Sequence, residues 1–526
     1  MTSYFAAPHG AQRIGLRQPC CRFPAASRAG TGPLKYAASS ARRSLLALVT
    51  ACFAFAPAHE TFAVTWTSFA IDTFATSAFR ATALAHLPDG RFAYGVAGQL
   101  FVQNSFGTAS KTVVPVGALV LDPSFIAVRD GGSAIVGQGG YAATSNVYSF
   151  NPSLPASGVS TTPLAAPQNY AGVYWKHPVS LREGWLVGGS NGVFADNNVT
   201  FVSLDGTKVG AVTGSVSAFS GGIATDAAGN LYAATYDIDF NTFEPTPDAN
   251  RVLKFTAAQV DAAVAAIIAG APAPVPVWAS TFMYQFDSTS NIAVDSLGRV
   301  WATGFSVNHL QVFDPATQSM SRIVPQHGSF PAGTDVLYTV RDFTRSGAGY
   351  VAFLAQDENG AAGTNVYTGY ATTASIVIPP VDQWRALNFG VSTLALANES
   401  SLWGPHADPD RDGVPNLIEY ASGTPPLGAS VTPITTGVQG GSLRFSFVRD
   451  PLNTDLTYVV EVAGALTAGA WQEIAHSTGG ASTISSGIGA AGVSEAPEGP
   501  RVRVTVTDPL TGTGRFARLR VILTPP

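Results

Sequence analysis

Short apolar runs punctuated by Gly, Asp and Pro dominate residues 64–379. One unit recurs there: an apolar strand, a turn holding Asp or Gly, then a second strand carrying an aromatic. Copies run over 84–94, 126–136, 179–187, 223–233 and 292–302, with a degenerate one over 338–353. A further strand-like run follows most of them, at 99–102, 146–150, 251–255 and 310–313. Taken from Gly90, Gly131, Gly184, Gly229, Gly298 and Gly347, the steps are 41, 53, 45, 69 and 49 residues. Multi-stranded repeats of ~40–50 residues read as propeller blades. One copy cannot bury both faces of its own small sheet, whereas six or seven set radially can, leaving no long edges.

The long step has its own signal. Thr256 and Gln259 have the spacing of a capping box, an Ala-rich run follows to Ala269, and Gly270 stands where a helix would stop. The alternating prolines of 271–276 then give a stiff return. This predicts a helix inserted on one face of the propeller. After Pro425-Pro426 the pattern alternates again, over 442–448, 456–462, 471–474, 501–506 and 515–521. About a hundred residues of such strands predict a small β-sandwich, with Trp471 in its core and the Gly/Ser/Ala-rich 475–496 as a long loop. The expectation is an all-β chain: a six- or seven-bladed β-propeller over 64–379, a connector over 380–424 and a sandwich over 425–526.

Composition sharpens this. Hydrophobic residues make up 46% and charged residues only 12%, with 54 glycines, which suits many strands and turns. Residues 1–58 hold no acid but seven bases, Arg13, Arg17, Arg22, Arg28, Lys35, Arg42 and Arg43. The other 22 basic and 34 acidic residues leave a net charge of −12. So acidic a body is poorly suited to nucleic acid or anionic membrane, which need clustered cations. All three cysteines, Cys20, Cys21 and Cys52, precede residue 59, so the rest cannot rely on disulfides or thiolate metal sites. Arg42-Arg43 precedes an apolar run from Leu45 to Ala56, followed by the small-residue sites Ala56-Pro57-Ala58 and Thr61-Phe62-Ala63. That is the build of an export signal, too short to span a membrane comfortably. Residues 1–63 are thus expected to be removed. Their basic lead-in is long enough to place the true start downstream of Met1. The mature chain, with no membrane span, is expected to be extracellular, at the cell surface or periplasmic.

One stretch carries readable chemistry: Asp408, Asp410, Asp412, Gly413, Val414, Asn416 and Glu419. Counting Asp408 as position 1, carboxylates fall at 1, 3 and 5, glycine at 6, an amide at 9 and glutamate at 12. That is the spacing of an EF-hand loop. Calcium wants six to eight oxygens, and alternate side chains of a tight loop converge on one centre. Gly413 permits the reversal, Val414 would offer its carbonyl, Asn416 would bind directly or through water, and Glu419 would close the site from a helix over 415–421. The same acidic run also suits a metal-free surface turn. Gly404-Pro405 breaks any helix leading into the loop, and the nearest helical run upstream is 381–387. A single calcium-clamped turn is therefore expected.

The loop resembles those of dockerins and thrombospondin type-3 repeats. With Trp384-Arg385, Asn388-Phe389-Gly390 and Tyr420-Ala421-Ser422-Gly423 around it, residues 381–526 resemble a junction module of large secreted proteins of Verrucomicrobia and related bacteria. The resemblance implies export and a calcium-stabilised connector, and no reaction. In the propeller, Asp226–Ala233 and Asp295–Ala302 resemble NHL and SMP-30-like blades. In such blades the Asp-x-x-Gly is normally a turn that hydrogen-bonds itself, and that reading is taken for Asp89, Asp130, Asp226 and Asp295.

No constellation points to catalysis. His59, His86, His177, His309, His327, His406 and His476 are scattered, and no Walker A, GxSxG or HExxH is present. Asp237, Asp239 and Glu244 share a polar loop that suits solvent better than a ligand site. The leading expectation is a secreted, non-catalytic calcium-binding protein whose propeller binds extracellular glycan or protein. The alternative is a propeller hydrolase or lyase, lactonase-like, acting on an extracellular substrate.

Overall fold

The computed structural model describes residues 64–523, apart from positions within 65, 75–80, 97, 118–122, 139–145, 165–169, 191–196, 215–218, 237–249, 275–285, 305–306, 326–334, 358–363, 432–433, 466–470, 488–491 and 512–514. The segment of the expected export signal, and Asp237, Asp239 and Glu244, lie outside the described residues. No described helix is long and apolar enough to cross a membrane.

Six antiparallel sheets form the first part of the chain. Their first strands are Ala81–His86, Ile126–Val128, Ala171–Lys176, Phe219–Thr225, Asn291–Val294 and Asp335–Arg345. Each of these packs against the next, and the last returns to the first, so the six close a ring. The strand Thr67–Phe74 does not start the first blade. It pairs with Thr364–Thr372 and becomes the outer strand of the sixth, so the first and last strands of the propeller are hydrogen-bonded in one sheet. The fold is a six-bladed β-propeller. The second strands Phe92–Val96, Ala134–Gly137 and Val300–Thr303 are buried throughout, because each blade is covered on both faces by its neighbours. Close approach between blades has a specific device at Phe125, which is fully buried. A Cβ on Gly172 of the next blade would lie 2.0 Å from its ring, and one on Gly137 of its own blade 2.4 Å.

The third repeat is out of register with the sequence reading. Its first strand is Ala171–Lys176, upstream of 179–181. Val179 and Leu181 are 84% and 63% exposed, and Leu181 takes φ 59°, as the turn between the strands. Helix α1 (Ala257–Ala269) has the capping box of Thr256 and Gln259, and Gly270 ends it in the left-handed region. It leaves the fourth blade between strands Val252–Phe255 and Ser280–Phe282, and its Asp261 accepts from Ser180 and Arg182 in the turn joining the first two strands of the third blade. Val260, Ala263, Val264 and Ile267 pack with Phe201 and Val212 of the third blade. Gly210 makes room for Ile267 there.

Helix α2 (Pro380–Phe389), short helical turns over 391–403 and helix α3 (Asn416–Ser422) follow. Two four-stranded sheets then make the sandwich. One orders Thr435–Gln439, Ser442–Arg449, Arg501–Thr511 and Gly492–Glu498, the other Ile484–Ser485, Gln472–Thr478, Leu456–Ala463 and Phe516–Leu523. Phe445, Phe447, Val460, Ile474, Val504 and Leu519 fill the space between them, with Leu417 and Ile418 of α3 in the same core. Two expectations are corrected. Within 475–496, residues 475–478 end the strand Gln472–Thr478, and Ile484–Ser485 and Gly492–Glu498 are edge strands, mostly exposed apart from half-buried Val493 and Glu495. An edge is held by backbone pairing, so it shows no apolar alternation. Trp471 is only half-buried, with the Arg518 guanidinium 4.3 Å above its ring.

The connector is clamped to the fifth blade. Asp287 accepts from His309 Nε2 (2.8 Å), from Arg322 Nε (2.7 Å) and from the Leu396 amide (3.2 Å). Arg322 also donates to the Leu394 carbonyl at 2.5 Å. Burial alone would raise the Asp287 pKa, but Arg322 and His309 overcome it and hold the carboxyl well below its usual range.

Candidate metal centre

Asp408, Asp410 and Asp412 each offer a carboxylate oxygen within 4.8 Å of the others, and this is the sole group of three or more such side chains found among the described residues. The backbone explains the convergence. Arg411 and Gly413 take φ 62° and 90°, which turn the chain back within three residues. Asp408 accepts from the amides of Asp412 and Gly413 at 3.2 and 3.0 Å, and Asp410 accepts from that of Asp412 at 3.1 Å. Asp412 accepts from Val414 at 2.8 Å, and from the Ser430 amide and hydroxyl at 2.6 and 3.0 Å. The bonds from Ser430 and Val414 hold the Asp412 carboxyl below its usual pKa. Ser430 lies eighteen residues on, and nothing in the local pattern marks it.

Glu419 is 0% exposed. It sits one turn into α3, held by the bond of its amide to the Pro415 carbonyl. Neither carboxylate oxygen has a partner at hydrogen-bond distance, with only a weak opposing influence from Ser430, and Asp410 Oδ2 and Asn416 Oδ1 are likewise buried without a partner. Burial first, then the charges of Asp410, Asp412 and Asp408, push the Glu419 pKa up to about 8. Asn416 donates from Nδ2 to the carbonyls of Leu402 and Gly404 at 2.8 and 2.9 Å, which fixes its amide and leaves Oδ1 over. Buried carboxylates and amide oxygens are rarely left unpaired, and four such atoms around one loop ask for a cation. The donor set is all oxygen and strongly anionic, which suits a hard divalent ion. Glu419 lies outside the tight group of three. Val414 is buried, and its amide bond to Asp412 places it in the turn.

The incoming side differs from the sequence reading in one respect. A single π-type turn, Glu399–Trp403, does precede the loop and ends at Gly404, where the break was expected. Its Trp403 lies 5.0 and 5.3 Å from the guanidinium carbons of Arg322 and Arg385, so the loop's support reaches the propeller.

The propeller acids behave as turn residues. Asp226 accepts from the amides of Ala228 and Asn230 and from the Tyr232 hydroxyl. Asp295 accepts from Leu297 and Arg299 amides, from Arg299 Nε at 2.7 Å and from the Trp301 indole at 2.8 Å. Arg299 then donates to the carbonyls of Ile376 and Thr373. Asp89 pairs with Arg91, and Asp130 is exposed on its turn.

No protein-family model matches the chain, and no curated protein does. Among solved structures, it is similar to a PQQ-bound aldose sugar dehydrogenase from Streptomyces coelicolor, with 13% identity, 59% of this chain, 100% of that one and a TM-score of 0.37. It is also similar to regucalcin, a calcium-binding protein from Agrobacterium tumefaciens, with 12% identity, 57% and 93% coverage and a TM-score of 0.35. A virginiamycin B lyase from Staphylococcus aureus gives 9% identity, 57% and 87% coverage and a TM-score of 0.31. At these values the likeness says nothing of what this chain binds or does.

Proposed function

We propose that this is a secreted calcium-binding protein, in which the loop of Asp408, Asp410, Asp412, Val414, Asn416 and Glu419 holds one calcium ion and sets the connector between propeller and sandwich. The observation that carries the reading is Glu419, a fully buried carboxylate with neither oxygen partnered, beside three converging aspartates. Without a cation these charges repel. With one, the ion's binding energy becomes local folding energy. The acid-free, basic start with its apolar run supports export, and calcium is abundant outside cells. In this reading the propeller binds extracellular glycan or protein and the sandwich serves as spacer or attachment module. Limited proteolysis of the purified chain tests the calcium part. Millimolar calcium should protect residues 381–526 and leave propeller cleavage unchanged. Equal cleavage with calcium and with chelator would contradict it.

A further inference from the structure

A second site lies at the C-terminal end of α3. A cleft of about 340 Å³ opens between α2, the end of α3 and the loops of the sandwich, within the ~300–1,000 Å³ usual for small-ligand sites. Its wall holds Trp384, Asn388, Tyr420, Asp450, Asn453 and Arg501. These residues come from four separate elements, and Asn388, Asn453 and Asp450 are set by bonds that use only part of each side chain. Tyr420 is buried, anchored by its hydroxyl to Asp455 Oδ1 at 2.5 Å, and Trp384 stands against it with ring centroids 5.4 Å apart. Asn388 donates from Nδ2 to the Trp384 carbonyl at 2.8 Å, and Asn453 from Nδ2 to the Tyr420 carbonyl at 3.0 Å. Both amides are thereby oriented, and neither Oδ1 bonds to a described residue. Asp450 uses Oδ1 on the Leu452 amide at 2.9 Å and keeps Oδ2.

Arg501 is the unusual member. Its side chain makes no hydrogen bond or ion pair with any described residue, and its Nε is buried without a partner. It lies flat over Gly423, the left-handed residue that ends α3, where a Cβ would come 2.2 Å from the guanidinium carbon. A guanidinium held against backbone, half-buried and unpaired, is a donor fork waiting for an acceptor.

We propose that this cleft binds a neutral saccharide, one pyranose ring or the end of a short chain. The chemistry decides the class. One cation and one anion leave the wall without net charge, so a phosphate would meet Asp450 and an amine would meet Arg501. What remains is a fork of donors, a carboxylate oxygen, two fixed amide acceptors and an indole. Hydroxyl groups that both donate and accept, set around an apolar ring face, match that set. The proposal is independent of the glycan or protein assigned to the propeller. It touches the calcium reading only through α3, which carries both Glu419 and Tyr420.

The test uses the full chain in calcium buffer and methyl glycosides of glucose, galactose, mannose, xylose and N-acetylglucosamine as probes. Saturation-transfer NMR ranks them and calorimetry measures the best. Arg501→Gln and Asp450→Asn are the variants, since neither side chain fills the core, and thermal melts check that both fold. At least one glycoside should bind saturably, and each variant should weaken it tenfold or more. Three results overturn the proposal: no glycoside binding, binding that both folded variants retain, which places the sugar elsewhere such as the propeller, or variant-sensitive binding of glycine or glutamate in place of sugars. Calcium titration of the same samples separates these from failure of the metal site.

Discussion

Replacing Glu419 by Gln should change the sign of its effect with calcium. The substitution keeps the volume and removes the charge. In the calcium-free protein Glu419 is fully buried and its pKa is pushed up to about 8 by burial and the three aspartates. Relative to a free glutamate, holding that group at pH 7 costs on the order of 3 kcal/mol, and ~1–3 kcal/mol once the wet loop screens the aspartates. Glu419→Gln should relieve that strain and stabilise the calcium-free loop by the same amount. With calcium the order reverses. At a concentration 100-fold above Kd the ion stabilises the wild type by about 2.7 kcal/mol, roughly a hundredfold in opening equilibrium, and a neutral amide cannot close the site. Hydrogen exchange on the full chain reads this locally, in peptides over 402–430. In chelator the variant should exchange more slowly than wild type. In ~10 mM calcium the wild type should slow by one to two orders of magnitude while the variant barely moves. Equal exchange of the two proteins under both conditions would refute the idea that Glu419 is a strained ligand.

The propeller offers separate tests. Asp295→Ala leaves Arg299 buried without its carboxylate and strips the Trp301 indole of its acceptor, so it should destabilise the propeller by ~3–5 kcal/mol in denaturant melts without altering calcium binding. Gly172→Ala drives a methyl into the Phe125 ring and should cost ~1–3 kcal/mol or more by the same assay. His86 stacks on Phe343 at 4.2 Å, and burial, then the nearby Arg345, lower its pKa to about 4. The unfolded chain therefore binds the extra proton between pH 6.5 and 4. The contribution of His86 to stability is full above 6.5 and lost as pH falls toward 4. Thermal melts across that range should show acid destabilisation that His86→Phe reduces.

The repeats were legible because a blade's second strand is buried on both faces and its turn needs Asp and Gly, so the unit around Asp295, Gly298 and Trp301 is printed in local sequence. The third blade was misread because Val179 and Leu181 are apolar but exposed, and an apolar run inside a turn looks like a strand. Ring closure by Thr67–Phe74 could not be read at all, since its partner lies some three hundred residues away. In the connector, the spacing picked out Asp408, Asp410 and Asp412, which converge, while Glu419 lies buried outside that group. Ser430 and the carbonyls of Leu402 and Gly404 were invisible, because they support the loop through backbone atoms and distant positions that carry no pattern.

The central claim is that the acidic loop is a calcium site, and calorimetric titration of the full chain with calcium tests it most directly. One ion should bind per chain with Kd in the range ~10⁻⁴–10⁻³ M, the range of loops that are filled without acting as a switch. Asp410→Ala and Glu419→Ala should each abolish the binding heat. No binding by wild type at millimolar calcium, or undiminished binding by both variants, would contradict the account and leave the loop an acidic turn.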